Sequence, residues 1–255
     1  MKTIRILTCY VIAGLLTANQ LAKAADPAHP DQPIVGPADA MSKLKEGNGR
    51  YTSGNSVHPH ESSEERSFMA ANSYESSGMN FLGMTAEQAA KRRTDLAQSQ
   101  HPFAVIVSCA DSRVPPEIIF DQGLGDLFVV RVAGNVINDE NLGSIEYAVD
   151  HLAVRLIVVL GHQRCGAVKA AKDTIAAKGT APGHIQSLVT AIKPAVDATV
   201  SGDLDATINA NVKHVVDSLR SSTPVLKPKV SSGDVSVVGA NYSLDTGAVT
   251  FLDQK

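Results

Sequence analysis

Three short, uninterrupted apolar runs constrain the fold of this chain more than any other feature. They read AVIVSC (104–109), LFVVRV (127–132) and RLIVVL (155–160). Runs of this length without polar alternation are typical of strands that are buried on both faces, as in a parallel sheet. Helical patterns separate and follow these runs, at 115–120, 143–152, 165–177, 184–200 and 204–221. We therefore predict an α/β fold with a mostly parallel central β-sheet flanked by helices.

The segments before this core predict an N-terminal helical arm. Residues 37–48 have a helical pattern with Ala40 and Leu44 on one face, and we expect Asn48 and its flanking glycines to end the helix. Residues 52–80 are dense in Ser, Asn, Gly and His, which favours a surface loop. A second helix is predicted at 85–99, with Thr85 as its N-cap.

The end of the chain predicts a closing strand and hairpin at the edge of the sheet. The segments 235–238 and 248–252 are strand-like, and Asp245-Thr246-Gly247 is a turn sequence between them. We expect 25–100 to form the N-terminal arm and helices with their surface loop. Residues 101–255 then form the α/β core, and 25–255 together make one domain.

Residues 1–24 have the features of a secretory signal peptide. Lys2 and Arg5 precede an apolar stretch at 6–16, and Ala22-Lys23-Ala24 supplies the small-x-small cleavage pattern. We therefore predict an exported protein that is cleaved after Ala24, and periplasmic if the organism is Gram-negative. An uncleaved anchor is the alternative, although the apolar stretch is short for a membrane span. No membrane association is expected once the signal peptide is removed.

Charge and composition exclude several classes of function. The 23 basic and 26 acidic residues give a formal net charge of -3, which argues against a nucleic-acid partner. Aromatic residues make up 4% and Trp is absent, so a stacking surface for bases or sugars is not expected. Three cysteines, one of them in the signal segment, are too few for a disulfide framework.

Two cysteines and a histidine lie where the predicted strands end. Cys109 ends the first apolar run, while His162 and Cys165 follow the third. In an open α/β sheet, sites form outside the carboxyl ends of the strands. Two thiolates and an imidazole suit Zn²⁺, and three protein ligands leave a fourth position open, as in catalytic zinc sites. A Cys109–Cys165 disulfide and a pair of inert core thiols remain open as alternatives.

Asp111 and Arg113 follow the proposed ligand Cys109 directly. An ionised Asp111 can accept a hydrogen bond from a metal-bound hydroxide and so orient the oxygen for attack. Arg113 can hold Asp111 ionised through a bidentate pair. An ordinary surface ion pair is the alternative reading of the Asp-x-Arg sequence.

Four sequence motifs closely resemble those of the β-class carbonic anhydrases. They are CADSRVPPE (109–117), GDLFVVRVAGNV (125–136), GSIEYAVDHL (143–152) and LGHQRCGAV (160–168). The resemblance covers most of 37–255. It implies one Zn²⁺ per chain on Cys109, His162 and Cys165, with Asp111 and Arg113 as the catalytic dyad. By spacing, it also implies a substrate pocket that includes Gln100, Phe128 and Tyr147.

The activity implied by this resemblance is the reversible hydration of carbon dioxide to bicarbonate and a proton, by attack of a zinc-bound hydroxide on CO₂. The resemblance further implies a closed state in which Asp111 becomes a fourth zinc ligand. It also implies a homodimer or homotetramer whose N-terminal helices embrace the partner subunit.

Other functions remain to be separated from this one. The second hypothesis, which the resemblance also suggests, is an enzyme that hydrolyses CS₂ or COS at a similar zinc site. A zinc-holding or assembly protein would keep the fold without the reaction, although the presence of Asp111, Arg113 and Gln100 argues against it. A disulfide-stabilised binding protein would hold no metal.

Overall fold

The structure, a computed structural model, describes residues 33–56 and 86–252. The predicted signal peptide at 1–24, most of the predicted loop at 52–80 and the predicted cap at Thr85 lie outside the described residues. None of the helices in the described ranges is long and apolar enough to cross a membrane.

Eight α-helices, one 3₁₀ turn and five strands are formed by the described residues. The helices are α1 (Pro37–Thr52), α2 (Ala86–Leu96), α3 (Pro116–Ile119), α4 (Asp139–Asp150), α5 (Gly166–Ala176), α6 (Ile185–Ala198), α7 (Leu204–Ser221) and α8 (Leu226–Ser231). The 3₁₀ turn is Ala133–Asn135, and the strands are β1 (Ala104–Ser108), β2 (Leu127–Arg131), β3 (Leu156–His162), β4 (Ser236–Tyr242) and β5 (Val249–Leu252).

The five strands form one sheet in the order β2-β1-β3-β4-β5. The first four are parallel, and β5 pairs antiparallel with β4 to close the edge as a hairpin. The predicted mostly parallel sheet with flanking helices is thereby confirmed. Each of the three apolar runs forms a strand, with bounds that shift by only one or two residues.

Both faces of the sheet are buried, which explains why the strands lack polar alternation. Val105, Val107 and Ile157 face a core that α4, α7 and α8 cover. Ile106 and Val158 face the opposite core, which includes side chains of α1 and α3. Alternate residues of a strand point to opposite faces of the sheet. Because both faces are covered, every position in β1 and β3 is buried.

The predicted end of the first helix at Asn48 is wrong, because α1 continues to Thr52. Gly47 permits a close approach: a Cβ at this position would lie 1.8 Å from the Phe120 carbonyl oxygen. Asn48 donates through Nδ2 to the carbonyls of Ile119 and Gly247 and accepts from the Val249 amide. The residues that suggested a helix stop therefore dock the helix onto the sheet.

Helix α4 begins four residues earlier than predicted, at Asp139. Asn138 caps it by accepting from the Asn141 amide, and the Asn141 side chain accepts from the Asn138 amide in return. This reciprocal cap uses two asparagines in place of the usual Ser/Thr and Glu pair. The apolar pattern that begins only near Gly143 therefore missed the first turn.

Candidate metal centre

Two adjacent strands and one helix deliver Cys109, His162 and Cys165 to the carboxyl edge of the sheet. Cys109 follows the last residue of β1, and His162 is the last residue of β3. The two strands are paired in register, with Ser108 opposite Leu160. Cys165 is the N-cap of α5, one turn beyond His162. All three side chains are buried, and their ligand atoms lie within 4.8 Å of one another.

The geometry of the two sulfurs fits a shared tetrahedral ion better than a disulfide. Both cysteines are free, and their Sγ atoms are 4.0 Å apart. A disulfide would bring the sulfurs to about 2.05 Å. Two sulfurs that each lie ~2.3 Å from a tetrahedral Zn²⁺ are separated by about 3.8 Å, which is close to the observed distance.

The two ring nitrogens of His162 have different surroundings: Nδ1 is hydrogen-bonded to the backbone, and Nε2 is in a position to bind a metal. Its Nδ1 lies 2.9 Å from the Gln163 carbonyl oxygen, and because a carbonyl only accepts, Nδ1 carries the proton. Nε2 is therefore unprotonated in the neutral ring; it is buried and has no hydrogen-bond partner among the described residues. A histidine ligand oriented by a backbone carbonyl is the usual arrangement at protein metal sites.

The two thiols differ in their readiness to ionise. Hydrogen bonding from Cys165 lowers the pKa of Cys109, and the backbone amide of Gly134 contributes in the same direction. The adjacent Cys109 sulfur and burial raise the pKa of Cys165. Cysteine binds a metal as the thiolate, so metal binding at this centre would release protons and depend on pH.

Asp111 is held beside the three ligand atoms by Arg113. Arg113 donates from Nε to Oδ1 at 2.9 Å and from Nη2 to Oδ2 at 2.7 Å, and its amide donates to Oδ1 at 3.0 Å. These bonds keep the pKa of Asp111 well below its usual range. The Oδ2 atom lies 3.9 Å from Nε2 of His162. The pair therefore lies beside the three candidate ligands.

Sequence reasoning missed two residues that support the Cys109 loop. Arg131 donates to the carbonyl oxygens of Cys109 at 3.0 Å and Asp111 at 2.6 Å. The Gly134 amide donates to Cys109 Sγ at 3.2 Å. Both residues lie in or just after β2, next to β1 in the sheet, so the strand order would have been needed to find them.

The predicted pocket residues do not share the core cluster of the cysteines. Phe128 and Tyr147 pack against the core that α4 and α7 cover. The Tyr147 ring also packs edge-on against the His151 ring, with 5.0 Å between the ring centroids. Gln100 is half-buried and lies just before β1. Cys109 and Cys165 belong to a separate cluster with side chains of α5 and α6. The pocket role of the three residues stays a prediction.

Comparisons with known proteins agree with this geometry. A family model described as "Carbonic anhydrase" matches residues 104–249, a range that contains all three candidate ligands. Carbonic anhydrase 2 of Mycobacterium tuberculosis is 39% identical over 225 residues, which cover 87% of this chain and 95% of that protein.

Solved structures show the same architecture. The β-carbonic anhydrase CcaA superposes with a TM-score of 0.60 at 25% identity, covering 74% of this chain and 93% of its own. Tetrameric β-carbonic anhydrase from the ascomycete Sordaria macrospora superposes with a TM-score of 0.60 at 23% identity, covering 75% of this chain and 98% of its own. At that identity, the second likeness shows the fold alone.

Proposed function

The chain belongs to the β-carbonic anhydrase family, and from this premise we propose that Cys109, His162 and Cys165 hold a catalytic Zn²⁺ at which carbon dioxide is reversibly hydrated to bicarbonate and a proton. One observation carries the choice of metal: two sulfurs 4.0 Å apart face an imidazole nitrogen that is buried without a partner in the described structure. This S₂N donor set favours zinc over the oxygen-seeking cations Mg²⁺ and Ca²⁺.

When bound, Zn²⁺ acts as a Lewis acid that lowers the pKa of a coordinated water to about 7. The side chains of the protein orient the attacking water. Asp111, kept ionised by Arg113, is placed to accept a hydrogen bond from the attacking water and so aim its lone pair at the substrate carbon. Arg131 holds the carbonyls on both sides of this loop, so the ligand and the acceptor keep a constant separation. Within the same proposal, Gln100 donates to a substrate oxygen, and Phe128 and Tyr147 line the apolar pocket.

The paired dyad also distinguishes an enzyme from a zinc-holding protein. A purely structural zinc site has four protein ligands, whereas the described residues offer three ligands and an adjacent, hydrogen-bonded carboxylate. Asp111 as a fourth ligand belongs to a proposed closed state, which requires that it leave Arg113.

The proposal is tested by pairing metal content with CO₂ hydration for the mature chain and its Cys165→Ala variant. We expect about one zinc per wild-type chain, and loss of both metal and activity in the variant. Val168→Ala is the matched control, because it truncates a fully buried side chain on the same helix. Metal and turnover retained by Cys165→Ala would overturn the site assignment.

Export and self-association complete the proposal. The charge and apolar pattern of residues 1–24 support export, with a periplasmic location in a Gram-negative cell. The edge strand β2 supports a homodimer or homotetramer, because its apolar residues Leu127, Phe128 and Val129 are only partly buried.

A further inference from the structure

Asn211 is a buried amide in the middle of an apolar helix face. It lies on α7, it is fully buried, and the neighbouring buried positions include Ile208, Val212 and Val215. Burying an amide costs free energy unless its polar atoms are hydrogen-bonded. The Asn211 side chain meets this requirement only in part: Nδ2 is bonded, and Oδ1 has no partner in the part of the chain that the structure describes. Because burying Asn211 at this position lowers stability, we expect the side chain to contribute something else.

The partner of Asn211 is the turn that supports the metal centre. Nδ2 donates to the Gly134 carbonyl oxygen at 2.8 Å, across 77 residues of sequence. The amide of the same glycine donates to Cys109 Sγ at 3.2 Å. Within the described structure, Asn211 therefore forms no hydrogen bond with a candidate zinc ligand, and Gly134 alone connects it to Cys109.

The turn needs such an anchor because its backbone is unusual. Gly134 and Asn135 have consecutive positive φ angles of 71° and 46°, a conformation that side chains other than glycine adopt at a cost. A Cβ at Gly134 would lie 2.8 Å from Ile192 Cδ1 and 3.2 Å from Ala167 Cβ, so the turn is pressed against α5 and α6. Packing limits how far the turn can move toward these helices, and Asn211 fixes it from α7.

The buried polar atoms that lack a partner concentrate around this centre. Four are found in the described ranges: Ser108 Oγ, Asn135 Nδ2, His162 Nε2 and Asn211 Oδ1. His162 is a candidate ligand. Ser108 precedes Cys109 in the sequence, Asn135 follows Gly134, and Asn211 is bonded to Gly134. Such atoms are rare in folded proteins and often mark functional sites.

We propose that Asn211 is a positioning residue of the metal centre, which holds the Gly134 amide on Cys109 Sγ and so sets the affinity of the Cys109–His162–Cys165 site for zinc. The inference rests on the proposed function. Groups that are bonded directly to a metal ligand, as the Gly134 amide is to Cys109, contribute about 10- to 100-fold to metal affinity. Loss of the Asn211 donor should loosen the turn and withdraw the amide from the sulfur, while all three ligands remain present.

The test compares Asn211→Leu, which keeps the branching at Cγ and removes the donor, with Thr207→Val as a matched control. Thr207 is also fully buried on α7, one turn away, and its hydroxyl is bonded to Thr199 and to the Asp203 carbonyl. Zn²⁺ affinity is measured on folded, metal-free protein by competition with a chromophoric chelator. The thiolate-to-metal absorption of the Co²⁺-loaded protein is recorded in parallel.

We expect Asn211→Leu to bind Zn²⁺ about ten-fold or more weakly and to shift the Co²⁺ absorption, and Thr207→Val to match wild type in both. If Asn211→Leu does not fold, Asn211→Ala provides the same comparison. Wild-type affinity and absorption in the Asn211 variant would show that Asn211 serves folding alone and would overturn the inference. Failure of the wild-type protein itself to bind Zn²⁺ would overturn the proposed function as well.

Discussion

At the scale of single residues, Asp111 has the most distinctive environment in the centre. Arg113 donates three hydrogen bonds to its carboxylate, and one of its oxygens lies 3.9 Å from Nε2 of His162, the candidate ligand nitrogen. Arg113 is exposed, so the pair does not mainly serve the core. A carboxylate that is held so firmly next to a metal position is suited to orient a reacting water.

We predict that Asp111→Asn keeps zinc and lowers the rate of CO₂ hydration by about 100-fold or more, because the neutral amide is a poorer acceptor and loses the charged pair with Arg113. Stopped-flow hydration assays on protein of known zinc content provide the measurement. Asp197→Asn is the control, since Asp197 forms a surface ion pair with Lys193 on α6. Equal turnover in the Asp111 variant and wild type would remove Asp111 from the mechanism.

At the scale of elements, α1 is attached to the rest of the molecule by close backbone contact and buried polar bonds. Besides Gly47 and Asn48, Arg50 forms an ion pair of 2.6 Å with the fully buried Asp121. The contacts of α1 reach α3 and the β4–β5 hairpin, and Gln163 in the ligand loop binds the same hairpin through Ser243 and Leu244. The N-terminal helix therefore packs on its own subunit, whatever further contacts an oligomer adds.

Two glycines of α1 give a direct test of this docking. Gly47→Ala should destabilise the protein by about 2–3 kcal/mol, because the new Cβ would overlap the Phe120 carbonyl and push the helix away. Gly49→Ala, two residues further on, meets nothing within 4 Å and should be neutral or stabilising by up to about 1 kcal/mol. Urea unfolding of the two variants under the same conditions measures the difference. A Gly47→Ala variant as stable as Gly49→Ala would contradict the docked position of α1.

At the scale of the whole molecule, the parallel sheet brings the candidate metal ligands together and leaves β2 as a partly exposed edge strand. Parallel strands bring their carboxyl ends to the same edge, so Cys109 and His162 meet although 53 positions separate them along the chain. The β4–β5 hairpin closes one side of the sheet, whereas β2 forms the other side with half-buried apolar residues. A second copy of the chain is the proposed cover for that side.

Native mass spectrometry of protein expressed from the full sequence and exported tests both proposals about the mature molecule. We expect each chain to begin at Ala25, because the small-x-small pattern ends at Ala24. We expect the assembly to contain two or four chains, because pairing would bury the apolar edge of β2. Intact chains starting at Met1 would contradict export with cleavage, and a monomer at micromolar concentration would contradict the oligomer.

The elements that the sequence predicted well are those whose signal is local. Continuous apolar runs identify β1, β2 and β3 because both faces of each strand are covered, and α7 matches its predicted bounds of 204–221. The three candidate metal ligands could be named because each lies directly at the end of a strand or the start of a helix. Gly47 and Asn48 were misread because a close interhelical approach and a helix stop use the same residue types.

The sequence by itself therefore determined the α/β class and indicated the candidate donor set and dyad, since hydrophobic burial and metal chemistry constrain the types of residue and their spacing. Only the tertiary structure decided what surrounds that donor set. Arg131 and Gly134 reach Cys109 because β2 lies beside β1, and Asn211 reaches Gly134 because α7 packs against β3 and β4. These contacts join residues that are distant in the chain, and no local pattern records which pairs the packing of the sheet and helices brings together.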